Sequence, residues 1–216
     1  MTKVVGLAGR AGCGKSFAAD YLVKEHGFTR VKFADSLKNI YRKWLSNHGC
    51  EVSRIEARVE GDMKEVVDTH FAELVYDTTA NYLSALETLP VPVTRSMIES
   101  FHEIVFMDII NNPDLCTPRR IMQRIGTEWG RNSINDNFWV DMWSAKAKSC
   151  ERVVSDDVRF DNEADRIRSS GGFIIEILGK DKTQSDHPSE KFDFYKEVTI
   201  RNTFDGEFLK LIESSL

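Results

Sequence analysis

The sequence predicts an α/β protein built in three layers, with a mostly parallel central sheet of about five strands. Three observations carry that expectation. Short apolar runs alternate with helical patterns along the chain, a glycine-rich turn joins the first run to the first helix, and a long helical, polar interval between the second and third runs lacks strand signals. In order, "KVVGLAG" reads as a buried strand and "SFAADYLVKEHG" as a helix closed by Gly27. "FTRVKFA", Phe28–Ala34, alternates like a second strand, and "DSLKNIYRKWLSNHG" follows as a helix with Asp35 or Ser36 as N-cap. From Glu51 to Pro118 the pattern is helical with one rigid break at "LPVPVT". "TPRRIMQRIGTEWGR" and "NDNFWVDMWSAKAKSC" are two further helices, "RVVSD" a short strand ending on acids, and "NEADRIRSSGG" a helix with a glycine stop. "FIIEIL" and "KEVTIRN" complete the strands, and "GEFLKLIESSL" is a terminal helix. Right-handed crossovers then leave the ligand edge at the carboxyl ends of the strands, where the glycine turn and the acids after "RVVS" both fall.

Composition narrows the function. The 216 residues are 41% hydrophobic and 29% charged with a net charge of −5, enough to bury a full core as one domain, 1–216, with an insertion at 36–118. Mild acidity argues against nucleic-acid binding, which shows a basic field. No apolar run approaches the roughly 18 residues of a membrane span, and "MTKVVGLAG" lacks a signal-peptide core, so the expectation is a cytoplasmic protein without membrane contact. Four cysteines without CxxC spacing read as free thiols, and a zinc site is not expected.

The turn Gly9-x-x-x-x-Gly14-Lys15-Ser16 meets the P-loop pattern between a strand and a helix, which makes the expected fold a P-loop NTPase fold. Gly12 and Gly14 let backbone N–H groups turn inward, and the helix N-terminus favours an anion. Lys15 is expected on the β- and γ-phosphates and the Ser16 hydroxyl on Mg²⁺. The ATP-binding set is therefore Arg10, Ala11, Gly12, Cys13, Gly14, Lys15, Ser16 and Phe17. Cys13 reads as a small loop filler, or as a thiol made acidic by the helix end.

At the end of "RVVS", Asp156 or Asp157 is placed to organise the metal through a bound water. Arg159, two residues past Asp157, can fork onto a phosphate held opposite the loop. Lys15, Arg159 and Asp157 form the expected catalytic set; Asn162 and Glu163 open the next helix as caps or as site residues. Within "PRRIMQRIGTEWGR", α-helical spacing puts Arg119, Gln123, Gly126 and Thr127 on one stripe. A guanidinium, an amide and a hydroxyl beside a glycine gap suit a nucleotide lying along it, although a solvated polar face reads the same way.

"DDVRFDNEADRIRSSGG" resembles the Asp-Val-Arg-Phe-x-Asn-Glu signature of the phage-type deoxynucleoside monophosphate kinases, a branch of the nucleoside monophosphate kinase superfamily. "FADSLK", the Arg-x-x-x-Gln-x-x-Gly-Thr-Glu spacing from Arg119 to Glu128, Trp139-Val140 and "DHPSE" (Asp186 to Glu190) match further elements in order, over nearly the whole chain. The resemblance implies ATP, Mg²⁺ and a deoxynucleoside monophosphate as ligands, in a host cytoplasm if the chain is phage-encoded. It makes 36–118 an acceptor-binding insertion and 179–196, with His187, a lid or adenine-side loop. It implies Asp35 and Lys38 at the acceptor entrance, Arg119, Arg159 and Lys38 on the acceptor phosphate, Gln123, Gly126 and Thr127 on the nucleoside, Trp139 as a wall, and Asp157 and Glu163 beside them. Related kinases are dimers or monomers, so a homodimer stays open. Two departures stand out: Ser16-Phe17 follows the loop lysine where the family often has Asp-Thr, and "ILGKDK" offers only Lys180 and Lys182 where an arginine is common. Such chemistry needs no general base, because the acceptor phosphate is itself the nucleophile; alignment and charge neutralisation suffice. A kinase of another phosphorylated metabolite, such as phosphomevalonate, keeps the fold and changes the acceptor. A nucleotide switch or motor subunit would show a guanine motif or a basic strip, and neither is present.

Overall fold

β1 (Lys3–Ala8) is the middle strand, and its side chains alternate between two cores. Val5 and Leu7 join Ala18, Leu22, Ile175, Ile177, Phe208 and Ile212 on one face; Val4 and Ala8 join Val153, Ala164, Ile167, Ile174 and Trp143 on the other. A strand buried on both faces must be apolar almost throughout, and "VVGLA" is. The computed structural model describes residues 3–69, 71–73, 80–179, 194–204 and 206–216. The remaining strands are β2 (Thr29–Arg30), β3 (Arg152–Ser155), β4 (Phe173–Leu178) and β5 (Val198–Arg201). They form one all-parallel sheet in the order β2-β3-β1-β4-β5, in register through Val4 with Val153, Gly6 with Ile174, and Ile177 with Ile200. β2 is shorter than the seven-residue alternation suggested. Its ladder runs on only through the Val31 N–H to the Val154 carbonyl, and the Phe33 N–H turns to the Asp157 carboxylate instead.

The chain divides into two compact units: residues 1–33 with 140–216, and residues 34–139. In the first, α1 (Lys15–His26) ends at Gly27, whose N–H reaches the Leu22 carbonyl. α8 (Phe138–Ala147), from Val140 onward, with α9 (Asp161–Ser169) and α10 (Gly206–Ser214), supplies the remaining helical layers. Helix and sheet are keyed by Trp143 of α8: its Nε1 donates to the Val31 carbonyl at 3.1 Å and the Ser155 hydroxyl at 2.9 Å, and its ring stacks on Phe33 at 4.8 Å.

The second unit is helical among its described residues. It holds α2 (Asp35–Asn47), α3 (Val52–Val59), a 3₁₀ turn (Asp62–Glu65), α4 (Ala80–Leu86), α5 (Arg95–Phe101), α6 (Met107–Asn111) and α7 (Pro118–Gln123). Two caps explain where helices start. The Thr94 hydroxyl, at the end of "LPVPVT", accepts from the Met97 N–H, and Thr117 does the same for Arg120 with Pro118 in the first turn. A cluster of rings fills the core: Trp44 lies 5.3 Å from Phe71 and 5.6 Å from Phe101, and Tyr82 stacks on Phe101 at 5.4 Å. This unit, 34–139, is longer than the 36–118 expected, because the helix from Pro118 packs with the insertion. Trp129, beyond α7, donates its Nε1 to Met97 and Ser100.

The structure departs from the expected continuous α-helix in "PRRIMQRIGTEWGR". α7 ends at Gln123, and Arg124–Ile134 continues as a π-helical segment; His102–Phe106 does so between α5 and α6. Intervals of i→i+5 replace i→i+4 there, so Glu128, rather than Thr127 alone, follows Gln123 along the axis. Trp139 packs against this segment. Its ring lies where a Cβ on Gly130 would be 2.5 Å away, and its Nε1 donates to the Gly126 carbonyl at 2.8 Å.

Candidate active site

In the unit of residues 1–33 and 140–216, the loop after β1 coils as an anion cradle. Gly9, Gly12 and Gly14 all take positive φ, which turns successive N–H groups toward one side. Gly14 is constrained twice over: its φ is 105°, and a Cβ there would sit 2.3 Å from the Asn202 side-chain amide. The Lys15 ammonium donates to the Gly9 carbonyl at 2.6 Å and the Arg10 carbonyl at 2.8 Å, with the Cys13 sulfur at 3.7 Å. Burial lowers its pKa below the ordinary 10.5; Cys13 opposes the shift, and the positive charge of Arg159 adds to it. Arg159 therefore shares the electrostatic neighbourhood of the loop lysine.

The Ser16 hydroxyl donates to Asp156 Oδ2 at 2.9 Å. Asp156, at the end of β3 and 4% exposed, also faces Arg30 at 3.9 Å and Lys32 at 3.6 Å, while its Oδ1 accepts no hydrogen bond. Of the two acids considered, Asp156 meets the loop serine. Asp157 Oδ1 accepts from the Phe33 N–H at 3.1 Å and so ties the end of β3 to the end of the second strand. A buried carboxylate oxygen without a hydrogen bond, beside a hydroxyl, is a donor set that suits Mg²⁺, which binds one or two protein oxygens and keeps several waters. Glu163, 3% exposed in the first turn of α9, accepts from the backbone N–H groups of Arg159 (2.8 Å) and Phe160 (3.2 Å). It thus holds the backbone that carries the exposed Arg159 guanidinium. Ala11 and Gly12 at the loop tip, and Ser16 and Phe17 at the start of α1, are exposed, and Cys13 is buried.

Three groups of this unit were not read from the sequence. Arg30 ends β2 and Lys32 lies two residues beyond it, and Arg30 donates to the Ser16 carbonyl and Asp20 at 2.8 Å. Asn202 directly follows β5, and its amide donates to the Cys13 carbonyl at 2.9 Å. The available signal was position: all three are polar residues at the carboxyl ends of parallel strands.

In the unit of residues 34–139, Asp35 and Lys38 occupy the first turn of α2. The Lys38 ammonium donates to both Glu60 oxygens (2.8 and 2.9 Å), and Arg42 pairs with Glu56 and Glu60. Arg119 pairs with Glu65 in an exposed ion pair. Such pairs are worth about 0–1 kcal/mol, so a phosphate dianion can compete for these cations. Arg120 and Arg124 both hydrogen-bond Asp108. Burial raises the pKa of that carboxyl, yet the two guanidinium groups outweigh it and hold the pKa below the usual value. Gln123 and Thr127 are half-buried and Gly126 is buried beside Leu37. Trp139, expected as a wall, is 2% exposed; it backs the Gly126–Gly130 backbone rather than offering a ring face. The expected lid, 179–196, and with it Lys180, Lys182 and His187, lies almost wholly outside the described residues.

Comparison with known proteins agrees with these parts. A family model described as deoxynucleotide monophosphate kinase matches residues 3–192. A protein of Acanthamoeba polyphaga mimivirus, named provisionally as a deoxynucleotide monophosphate kinase, is 25% identical over 234 aligned positions, covering 98% of this chain and 94% of its own. The deoxynucleoside-5'-monophosphate kinase of Escherichia phage T5 is 33% identical over 102 residues, 42% of this chain and 41% of its own. With the phosphate loop, the five-stranded parallel sheet and a family match over most of its length, the chain belongs to the deoxynucleotide monophosphate kinase family and is a kinase.

Proposed function

We propose that the protein transfers the γ-phosphoryl group of ATP to a deoxynucleoside monophosphate, giving ADP and the deoxynucleoside diphosphate. The observation that carries the reading is the joining of Lys15, Ser16, Asp156 and Arg159 around one loop, in a chain of this family. The loop amides and Lys15 hold the β- and γ-phosphates of ATP. Ser16 and Asp156 are the residues that would hold Mg²⁺, which supplies charge neutralisation on the phosphate oxygens. Arg159, on a backbone fixed by Glu163, neutralises charge as the phosphoryl group moves. The acceptor phosphate is gripped by Arg119 and Lys38, which leave Glu65 and Glu60 for it. Gln123 and Thr127 hydrogen-bond the nucleoside over the Gly126 gap, Asp35 orders the entrance, and Trp139 acts from behind as a positioning residue. Asp157 serves by fixing the Phe33 turn. The attacking oxygen belongs to the acceptor phosphate, so no protein base is required.

A coupled ADP-release assay across all deoxy- and ribonucleoside monophosphates tests this. Release that depends on a deoxynucleoside monophosphate, and is lost in Lys15→Ala, supports the reading. Equal release with and without any monophosphate overturns it.

A further inference from the structure

In the unit of residues 34–139, a cavity of about 230 Å³ lies where the end of α2 turns into α3, and the phosphoryl chemistry makes no use of it. Leu45 and Phe71, both buried, give it apolar lining. Its polar lining favours an anion. The Arg58 guanidinium is held by Asp68 through Nε and by the Arg54 carbonyl through Nη1, and its Nη2 has no hydrogen-bond partner. Asp68 is already spent, because its other oxygen accepts the Phe71 N–H at 3.1 Å. Arg54 is exposed, and its guanidinium pairs with nothing among the described residues. The first turn of α3 contains no acid and takes no side-chain cap from Glu51. A helix N-terminus left open beside two guanidinium groups draws negative charge. Glu51 is exposed, where water and salt screen its carboxylate.

A second observation comes from α2. The Tyr41 hydroxyl is wholly buried and has no hydrogen-bond partner, and its ring meets Phe71 nearly at right angles with 5.8 Å between centres. Burial first, and then the charge of Asp68, push its pKa well above 10.0, so it keeps its proton and remains a donor; Arg58 and Cys50 act on it as well. A buried donor without an acceptor is costly and calls for an explanation. This one shares its neighbourhood with three residues that line the cavity.

We propose that this cavity binds a small organic oxyanion, a carboxylate or a phosphate monoester, with its charged head on Arg54, Arg58 and the Tyr41 hydroxyl and its apolar body on Leu45 and Phe71. A guanidinium fork matches two oxygens of either head. The volume lies below the roughly 300 Å³ at which pockets for drug-sized ligands begin, so the body is one small ring or a short chain. α2 runs from Asp35 to Asn47, which sets the cavity about 18 Å along the helix from Asp35. A ligand here therefore does not displace one held at Asp35 and Lys38, and the inference does not depend on how the phosphate loop is read.

Cys50 lines the cavity and is half-buried, so its thiol reports on occupancy; Cys150 is half-buried elsewhere and serves as the internal control. The test follows alkylation of each cysteine in the full chain by iodoacetamide, using peptide mass spectrometry, with phenyl phosphate, benzoate, inorganic phosphate or benzyl alcohol added. Phenyl phosphate or benzoate is expected to slow Cys50 and leave Cys150 unchanged; which of the two acts at the lower concentration tells a phosphate ester from a carboxylate. Inorganic phosphate, which lacks the apolar body, is expected to need about tenfold more for the same protection. Arg54→Ala removes an exposed side chain without a partner, so the fold is kept, and it should raise the half-protecting concentration about tenfold. Protection in Lys15→Ala should match that of the unaltered chain. Four results overturn the proposal: no protection by either aromatic anion, equal protection by benzyl alcohol, equal slowing of Cys150, or protection undiminished in Arg54→Ala. Loss of protection in Lys15→Ala overturns it too, by assigning the effect to the phosphate loop. A Cys50 that fails to react in the chain without additions shows that the cavity is closed, and the proposal falls.

Discussion

Single side chains divide the labour sharply around the phosphate loop. The Lys15 ammonium is partly desolvated and sits near Arg159, so its folded pKa lies below the 10.5 of a free lysine. Between those two values the unfolded chain binds more protons than the folded one. Folding stability therefore gains as pH rises through that window, while the charge proposed to hold phosphate is lost. The expected outcome is a kcat/KM for ATP that falls with rising pH before 10.5, and that holds to higher pH in Lys15→Arg; pH profiles of both proteins check it. Lys15→Ala should lose roughly three orders of magnitude in kcat. The adjacent acids separate by the same logic. Asp156 shares a hydrogen bond with Ser16, whereas Asp157 holds the Phe33 N–H. Asp156→Asn should raise the magnesium concentration at half-maximal rate and cut kcat by about a hundredfold. Asp157→Asn should leave the magnesium dependence in place and lower the unfolding midpoint instead. Magnesium titrations of both variants, with urea unfolding alongside, distinguish the two roles.

Elements show where local pattern suffices and where it fails. β1, β3 and β4 were legible because a parallel strand buried on both faces must be apolar throughout, and α1 because its glycine-rich entry and Gly27 exit are local signals. The second strand was overread: alternation in "FTRVKFA" continues, but the Phe33 N–H is taken by a carboxylate more than a hundred residues away. The same limit applies to the helix after Pro118. Its polar stripe was legible in the residue types, yet the π-helical segment also packs its Gly130 against Trp139, a contact that spacing alone does not contain. Arg119 and Gln123 were expected at the site from their place on the stripe. Glu60 and Glu65, which pair with Lys38 and Arg119, were not, because nothing local ties those residues together. Gly130→Ala places a methyl 2.5 Å from the indole and should cost about 1–3 kcal/mol in urea unfolding. Trp139→Phe removes the bond to the Gly126 carbonyl and should cost about 1 kcal/mol or more by the same measurement. If Trp139 acts by positioning, that variant raises KM for the acceptor while leaving KM for ATP near its original value.

At the scale of the molecule, charge among the described residues is arranged in local pairs rather than as a field. A net charge of −5 coexists with carboxylates whose pKa values are held low by cations: Glu56 by its hydrogen bonds from Arg42, and Asp108 and Glu197 by guanidinium hydrogen bonds that outweigh burial. For such groups the unfolded chain takes up protons first as pH falls. The stability they contribute is complete above the ordinary carboxylate values of 3.8 to 4.5 and is lost as pH drops through the lower folded ones. Thermal melts from pH 6 to pH 3 should show a falling melting temperature beginning near pH 4.5. Arg124→Met is expected to shallow that fall, because Asp108 then keeps a single arginine partner through Arg120. The function proposed for the molecule is one transaction, movement of a phosphoryl group between two nucleotides. The most direct measurement follows the label from [γ-³²P]ATP, with each deoxynucleoside monophosphate in turn, by chromatography of the products. The expected product is label in the matching deoxynucleoside diphosphate, formed roughly three orders of magnitude more slowly by Lys15→Ala. Label released as inorganic phosphate at the same rate whether or not a monophosphate is present would contradict it.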